Sequence, residues 1–435
     1  MISLLYSKIN KLYSSFGFGR CLQQDLFASL PRANAYGRHD ENDCVLYSGD
    51  NLVHLLDMAA SGPGLIDLCY IDPPYNTGSA FLYEDSRKGP ESGAFGKHSG
   101  WMEFMLPRLV AAREVLRDDG VIAVSIDDYE HVYLRLLMDR IFGDENFIGN
   151  IVVCRSKNGK GSKRNIAPNH EYLVVYGKSK ASTLRGAPDD TGKYDKMDEH
   201  GRYRVDGLFR KKGEASRREE RPNMYYPVYY SKTTGRVFVD KAPGLEVVYP
   251  VDSKGVERRW LWSQDTARLN SWKLYASEKG TIYVKNYSSE DKRTKLRSLW
   301  SKTSYYTDRA TVELKKIYGE KVFDTPKPIS FLKDIIDQMG MDDSLILDFF
   351  AGAGTTAHAA FELNRADGGN RKVLLMESQD EIPDKHIARK HGFTYISDIT
   401  LYRLAHIRSL DQQYRYRVVR PVTDAEGSRG VGGRI

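Results

Sequence analysis

The 435-residue sequence has only four cysteines, Cys21, Cys44, Cys69 and Cys154, and no two of them form a C-x-x-C pair. That scatter argues against a zinc ribbon or a disulfide framework and reads as reduced, mostly buried thiols in a cytoplasmic protein. No apolar run approaches the roughly 18 residues needed to span a bilayer. The opening Met1-Ile2-Ser3-Leu4-Leu5-Tyr6-Ser7-Lys8 has no sustained apolar segment with a small-residue cleavage site, so neither a membrane protein nor a secreted one is expected. His, Cys and carboxylate residues nowhere fall at ligand spacing, so no catalytic metal is expected. There is no internal repeat.

What is present is a folded composition, 41% hydrophobic and 28% charged, at a length that suggests two or three structural units. The net charge of +7 conceals an uneven distribution. Residues 155–320 hold 36 Lys and Arg against 21 Asp and Glu, leaving the rest of the chain net acidic. A segment this lopsided between acidic flanks suits a polyanion, and favours nucleic acid over a merely solvated surface.

Five pieces follow from composition and periodicity. Residues 1–40 are an N-terminal extension whose Leu5, Ile9 and Leu12 have helical spacing, for packing or a dimer contact. Residues 41–154 alternate apolar runs of strand length (Cys44 to Tyr47, Leu65 to Ile71, Val121 to Ile126) with helical patterns. One of these, Trp101, Met105, Leu109, Ala112 and Leu116, is expected to stop at Asp118-Asp119-Gly120. Residues 155–320 lose this rhythm and read as an inserted α+β lobe. Residues 321–411 resume it, with a helix from Ile329 to Met339, a strand from Leu345 to Phe350, a helix from Thr356 to Leu363 and a strand from Lys372 to Met376. Residues 412–435 read as a disordered tail. The fold class is α/β: a mostly parallel twisted sheet with helices on both faces.

Two motifs carry chemistry. Asp72-Pro73-Pro74-Tyr75 follows the apolar run ending Tyr70-Ile71, which places it at the carboxyl end of a parallel strand, where ligands bind in open α/β folds. The two prolines make the loop stiff. The amino group of adenine is a poor nucleophile because its lone pair is delocalised into the ring. The Asp72 carboxylate and the Pro73 carbonyl could accept its two N–H bonds and draw the lone pair outward, while Tyr75 offers a face for a flipped base. A plain Asx-Pro turn would explain D-P-P alone, but not the whole tetrapeptide after a strand.

The second motif, Leu345-Ile346-Leu347-Asp348-Phe349-Phe350-Ala351-Gly352-Ala353-Gly354-Thr355-Thr356, reads as a strand, a glycine turn and a helix start that bring backbone amides close to a ligand. Glu377, ending the next strand, suits ribose hydroxyls. The turn is not a P-loop, because no Gly-Lys-Ser/Thr follows it. By itself it fits a nicotinamide or flavin enzyme almost as well.

Together these motifs, with Ser48-Gly49-Asp50-Asn51-Leu52, His170-Glu171-Tyr172-Leu173-Val174-Val175-Tyr176, Arg221-Pro222-Asn223-Met224-Tyr225-Tyr226-Pro227 and Pro326-Lys327-Pro328, resemble an amino-group DNA methyltransferase of the permuted arrangement. In that arrangement the catalytic motif comes first, a target-recognition lobe second and the cofactor motif last. The sequence is most similar to modification subunits of type III restriction-modification systems, although it is shorter than most of them. The resemblance implies a Rossmann-like fold that binds S-adenosyl-L-methionine and methylates N6 of adenine in double-stranded DNA. It implies that Asp348, Phe349, Phe350, Ala351, Gly352, Gly354, Thr355 and Glu377 hold the cofactor, that Asp50 lies near its adenine ring, and that Lys327 and Pro328 sit beside its methionine part. A homodimer and a restriction (helicase-nuclease) subunit are the protein partners it leaves open. Cytosine-N4 methylation is the alternative, though its tetrapeptide usually begins with Ser. A DNA-binding module without activity is a second alternative, though every motif is intact.

In the lobe, most of the aromatics Trp260, Trp262, Trp272, Trp300, Tyr225, Tyr226, Tyr229 and Tyr230 are expected to form its own core rather than stack bases. The polar, glycine-rich run from Arg155 through Lys157, Lys160 and Lys163 to Arg164 is instead expected to contact phosphates.

Overall fold

The computed structural model describes residues 2–18, 41–62, 64–78, 81–83, 85–89, 94–159, 165–189, 194–288 and 292–420. The chain folds as two compact units, Met1–Ala187 with Lys295–Ile435, and Pro188–Thr294.

The first unit is built on nine strands: β1 (Cys44–Ser48), β2 (Ile66–Ile71), β3 (Leu116–Ile126), β4 (Phe147–Cys154), β5 (His170–Gly177), β6 (Leu299–Trp300), β7 (Leu345–Asp348), β8 (Lys372–Glu377) and β9 (Tyr416–Val419). They lie in one sheet in the order β6-β4-β5-β3-β2-β7-β8-β1-β9. All neighbours are parallel except those of β5, which runs antiparallel to both β3 and β4. This is a Rossmann-like, mostly parallel sheet.

Alternate residues of each strand enter different cores, which is why the sequence shows continuous apolar runs rather than an alternating pattern. Leu345 and Leu347 pack with helices Asn51–Ser61, Ser99–Val115 and His131–Phe142, while Ile346 packs with Ile329–Met339 and Thr355–Asp367. The helix Ile329–Met339 has the bounds read from the sequence.

Three boundaries differ most from expectation, while the N-terminal helix takes the packing role, one of the two expected for it. The helix carrying Trp101 ends at Val115, and Leu116 already pairs with Ile66; the next pair is Leu68 with Val121, so Asp118-Asp119-Gly120 is a bulge within a strand rather than a helix stop. The N-terminal helix Ile2–Phe16 buries Leu5 and Ile9 against the main core and pairs Lys8 with Glu114 at 2.5 Å, so it packs within its own unit. The supposed tail contributes β9, parallel to β1, with Tyr414 buried just before it; the Gly- and Arg-rich end had obscured the β-branched pair Val418-Val419. Finally, the inserted unit is Pro188–Thr294 rather than 155–320, because β4 and β5 are joined by long antiparallel pairing and hold residues up to Gly177 in the main sheet.

The second unit contains a sheet of Val237–Phe238, Val228–Tyr230 and Glu246–Val248, and another of Leu274–Ala276, Ile282–Tyr287, Gly201–Leu208 and Lys196–Asp198. Trp260 stacks on Phe209 with ring centroids 4.9 Å apart and donates its indole N–H to the Tyr226 carbonyl at 2.8 Å. With Tyr230, Leu274 and Ile282 these residues form the unit's own core, with Trp262 packed against it. Trp300 belongs to the first unit, packed near Tyr305 and Phe331. Much of the unit's charge is paired on its surface, as in Lys232 with Glu246, Arg236 with Glu199 and Arg268 with Asp240. Among the described residues, no helix is long and apolar enough to cross a membrane.

Candidate active site

Because β2, β7, β8 and β1 are parallel neighbours, the residues that end or closely follow each of them meet at one edge of the sheet. Asp72, Asp348, Glu377 and Asp50 are those residues, and a cavity of about 530 Å³ opens there. Its volume suits a nucleotide-sized ligand. Of the cofactor positions expected from sequence, Asp50, Lys327, Asp348, Phe350, Ala351, Gly352, Thr355 and Glu377 line it. Phe349, Gly354 and Pro328 do not. Phe349 is fully buried in the core beneath, Gly354 is the left-handed residue that starts helix Thr355–Asp367, and Pro328 caps helix Ile329–Met339.

The cofactor-side wall is held by its own carboxylates. Asp348 accepts from Thr356 Oγ1 at 2.5 Å and from the Phe350 amide at 3.1 Å. Glu377 accepts from the Gly352 amide at 2.5 Å and from the Ser378 amide at 2.9 Å. Burial pushes both acids up to about 7, partly offset by these donors. Asp50 caps helix Asn51–Ser61 through the Leu52 amide and pairs with Arg108 at 3.0 Å. The Arg108 and Arg87 guanidinium groups lie 3.7 Å and 3.6 Å from the Phe104 ring centre, distances that two such groups can share only from opposite faces.

The Asp72–Tyr75 loop is stiffened from below. The Asp85 carboxylate accepts from the amides of Tyr75 and Gly78, both at 3.0 Å, and from Thr77 Oγ1 at 2.7 Å. Asn76, fully buried and at φ 58°, donates to Glu130 and accepts from the Arg87 amide; Asn is among the few side chains that tolerate that backbone region. Trp101 Nε1 donates to the Pro74 carbonyl at 2.6 Å. Proline therefore sets the loop's shape, while buried polar groups fix its position.

At its tip, Asp72 belongs to a group of four charges. Lys327 Nζ lies 2.8 Å from Asp72 Oδ1 and 3.1 Å from Glu171 Oε2, and Arg155 lies 2.6 Å from the same Glu171 oxygen. The Tyr75 hydroxyl sits among them, 2.7 Å from Asp72 Oδ1, 3.0 Å from Glu171 Oε2 and 2.8 Å from Lys327 Nζ. Burial pushes the Tyr75 phenol well up, and Asp72 and Glu171 add to the effect. Its ring packs against the main core and does not line the cavity. Asp72 Oδ2 accepts no hydrogen bond among the described residues.

Beyond Phe349, Gly354 and Pro328, the Tyr75 ring, expected to offer a face for a base, turns to the core instead of the cavity, and Arg155 and Lys327 also depart from the sequence reading. Arg155 is not a surface phosphate contact: its guanidinium is held by Glu171 and by Thr307 Oγ1 at 3.1 Å. Burial works against its charge, but Glu171, Tyr75, Asp72 and Tyr70 together outweigh burial and raise it above the usual range. Lys327 reaches the cavity as expected, but its ammonium rests on the Asp72 carboxylate. Lys157 is exposed, and Lys160, Lys163 and Arg164 lie outside the described residues. Glu171 was given no role from sequence; the only signal was its place in the His170–Tyr176 segment. Among the described residues no cluster of His, Cys, Asp and Glu could hold a metal ion.

A family model described as DNA methylase matches residues 66–388, from β2 to beyond β8. The chain belongs to the DNA methylase family. This methylase is 57% identical to the type II methyltransferase M.KpnI of Klebsiella pneumoniae over 87% of its own length and 91% of that enzyme. It is 34% identical to the type III restriction-modification enzyme EcoPI Mod subunit of Escherichia phage P1, over 88% of this chain and 66% of the subunit. Among solved structures it is similar to the cytosine-N4-specific PvuII DNA methyltransferase, at 12% identity and a TM-score of 0.41, covering 87% of this chain and 95% of that one.

Proposed function

We propose that this methylase transfers a methyl group from S-adenosyl-L-methionine to N6 of an adenine flipped out of double-stranded DNA at a specific sequence, within or derived from a restriction-modification system of the cytoplasm. The observation that carries this reading is the position of Asp72, with Oδ1 tied to Lys327 and Tyr75 and Oδ2 left to accept, beside a cavity whose far wall is a glycine turn and two buried carboxylates. Those carboxylates and Arg108 give the cavity the donors and acceptors that a ligand with ribose hydroxyls and charged ends requires, so the residues present fit the cofactor. When bound, it supplies a methyl carbon on a positively charged sulfur that keeps the bonding electrons. Asp72 Oδ2 and the Pro73 carbonyl accept the two N–H bonds of the amine and turn its lone pair out of the ring plane, and as the new N–C bond forms one N–H proton leaves through Asp72 Oδ2 to solvent. Digestion of methylated DNA to nucleosides and mass spectrometry should give N6-methyladenine; N4-methylcytosine would establish the alternative instead.

Gly352 tests the cofactor side. It lies at φ 53°, and a Cβ there would stand 3.0 Å from the Phe323 ring, which also lines the cavity. Gly352→Val combines backbone strain of about 1–3 kcal/mol with a side chain directed at Phe323. Calorimetric titration should show cofactor affinity reduced at least about tenfold; unchanged affinity would place the ligand elsewhere.

The DNA side is electrostatic. Residues 155–187 hold eight Lys and Arg against one Asp or Glu, whereas the inserted unit, 188–294, holds 22 against 17. Neutralising Lys157, Lys160, Lys163 and Arg164 together should flatten the dependence of log K on log salt by about 0.9 for each phosphate that no longer meets a cation. DNA titrations across a potassium chloride series read this directly, and an unchanged slope would move the phosphate-binding surface elsewhere.

A further inference from the structure

We propose that Glu171 is a positioning residue for methyl transfer, holding Lys327 and Tyr75 so that Asp72 presents Oδ2 to the target amine. The inference rests on the methyl-transfer reading above and adds a residue to it.

The topology explains how Glu171 reaches the site. Strand β5 runs antiparallel to β3, so its first residues, His170 and Glu171, lie at the edge where the parallel strands end. Strand β4 is also antiparallel to β5, with Cys154 opposite His170, so Arg155 emerges at the same edge. Glu171 is 2% exposed and Lys327 7% exposed. A buried carboxylate is costly unless charged donors satisfy it. Here one oxygen, Oε2, meets Arg155, Lys327 and the Tyr75 hydroxyl. Burial would push this carboxyl up, but Arg155, Lys327 and the Tyr75 hydroxyl together outweigh it and leave it below the usual carboxylate range.

The four charges balance in two pairs, and the balance sets what Asp72 can do. With Glu171 ionised, the Lys327 ammonium is shared between two carboxylates and is confined to the Oδ1 side of Asp72. Without that negative charge, Asp72 is the only carboxylate left for the ammonium, and the Tyr75 proton is drawn more strongly to Asp72. Both donors then compete with the incoming N–H bonds for the same group. The consequence falls on the chemical step rather than on binding, because Glu171 does not line the cavity.

The test is Glu171→Gln, which keeps the shape and removes the charge. Single-turnover methylation should slow between about tenfold and a hundredfold, the range in which misplacement of a catalytic group falls, while affinities for S-adenosyl-L-methionine and DNA stay within about twofold. Lys327→Met in the Glu171→Gln background should add less than it does in the wild type, since both substitutions act through the same ammonium. An unchanged rate, or strictly multiplicative effects of the two substitutions, would overturn the proposal. Should Glu171→Gln fail to fold because Arg155 is left without its carboxylate, Arg155→Gln with Glu171→Gln removes both charges. That variant should melt near the wild-type temperature and still be slow; a folded double variant with normal rate would equally overturn the assignment. The nucleoside product of the wild type is identified first, so that an error about the target base is seen separately from an error about Glu171.

Discussion

Asp72→Ala is expected to lower the rate of methyl transfer by on the order of 10³-fold, the scale on which a lost catalytic acceptor acts, while cofactor affinity changes little. The cofactor wall is made by Asp348, the turn through Gly352, and Glu377, whose hydrogen bonds do not involve Asp72. Nor should the substitution unfold the site. Lys327 keeps Glu171 at 3.1 Å, and Tyr75 keeps its hydrogen bonds with both. Asp72→Asn should retain more activity than Asp72→Ala, because one amide oxygen can still accept. Near-normal turnover by Asp72→Ala, measured with radiolabelled cofactor, would remove this residue from the chemistry.

The second large effect concerns specificity. Exchanging residues 188–294 for the equivalent segment of a related methylase should redirect methylation to the donor's sequence while the product remains N6-methyladenine. The catalytic loop offers acceptors to one base only, and reading neighbouring pairs needs donors and acceptors that reach the grooves. The inserted unit is a suitable cassette because it has its own core around Trp260 and Phe209. With only a modest excess of positive charge in 188–294, the salt dependence of binding should largely stay with the recipient. Sequencing of methylated sites in DNA from cells expressing a folded, active chimera decides the matter. Methylation at the original site would assign specificity to the first unit or to a partner subunit.

How far the sequence could be read follows from the kind of interaction involved. The strand before Asp72, the glycine turn after Asp348 and the helix Ile329–Met339 were legible because each depends on residues close in sequence: apolar runs, paired prolines, glycines and helical spacing. Asp72 and Asp348 could be assigned to one site because both lie at the carboxyl ends of strands of a parallel sheet. Glu171 and Arg155 could not be assigned to it, because only the antiparallel register of β5 brings them there, and a lone Glu-Tyr or an Arg beside a polar loop carries no trace of that register. For the same reason Arg155 read as the first residue of a phosphate-binding loop, although Glu171 and Thr307 anchor it in the main unit's polar network. The tail strand β9 was hidden by short length and poor surroundings, and the β3 bulge by residues that ordinarily end helices.

The pairing of β2 with β7 also governs the order in which this protein can fold as it is made. Ile66–Ile71 leaves the ribosome early, but its neighbour Leu345–Asp348 follows roughly 275 residues later, an interval of about 15–55 s at ordinary synthesis rates of roughly 5–20 residues per second. Until then the central strand of the sheet has an open, apolar edge, and Pro188–Thr294, with its own core, can fold before that edge is closed. A nascent chain in that interval is a substrate for chaperones and for strand pairing with another copy.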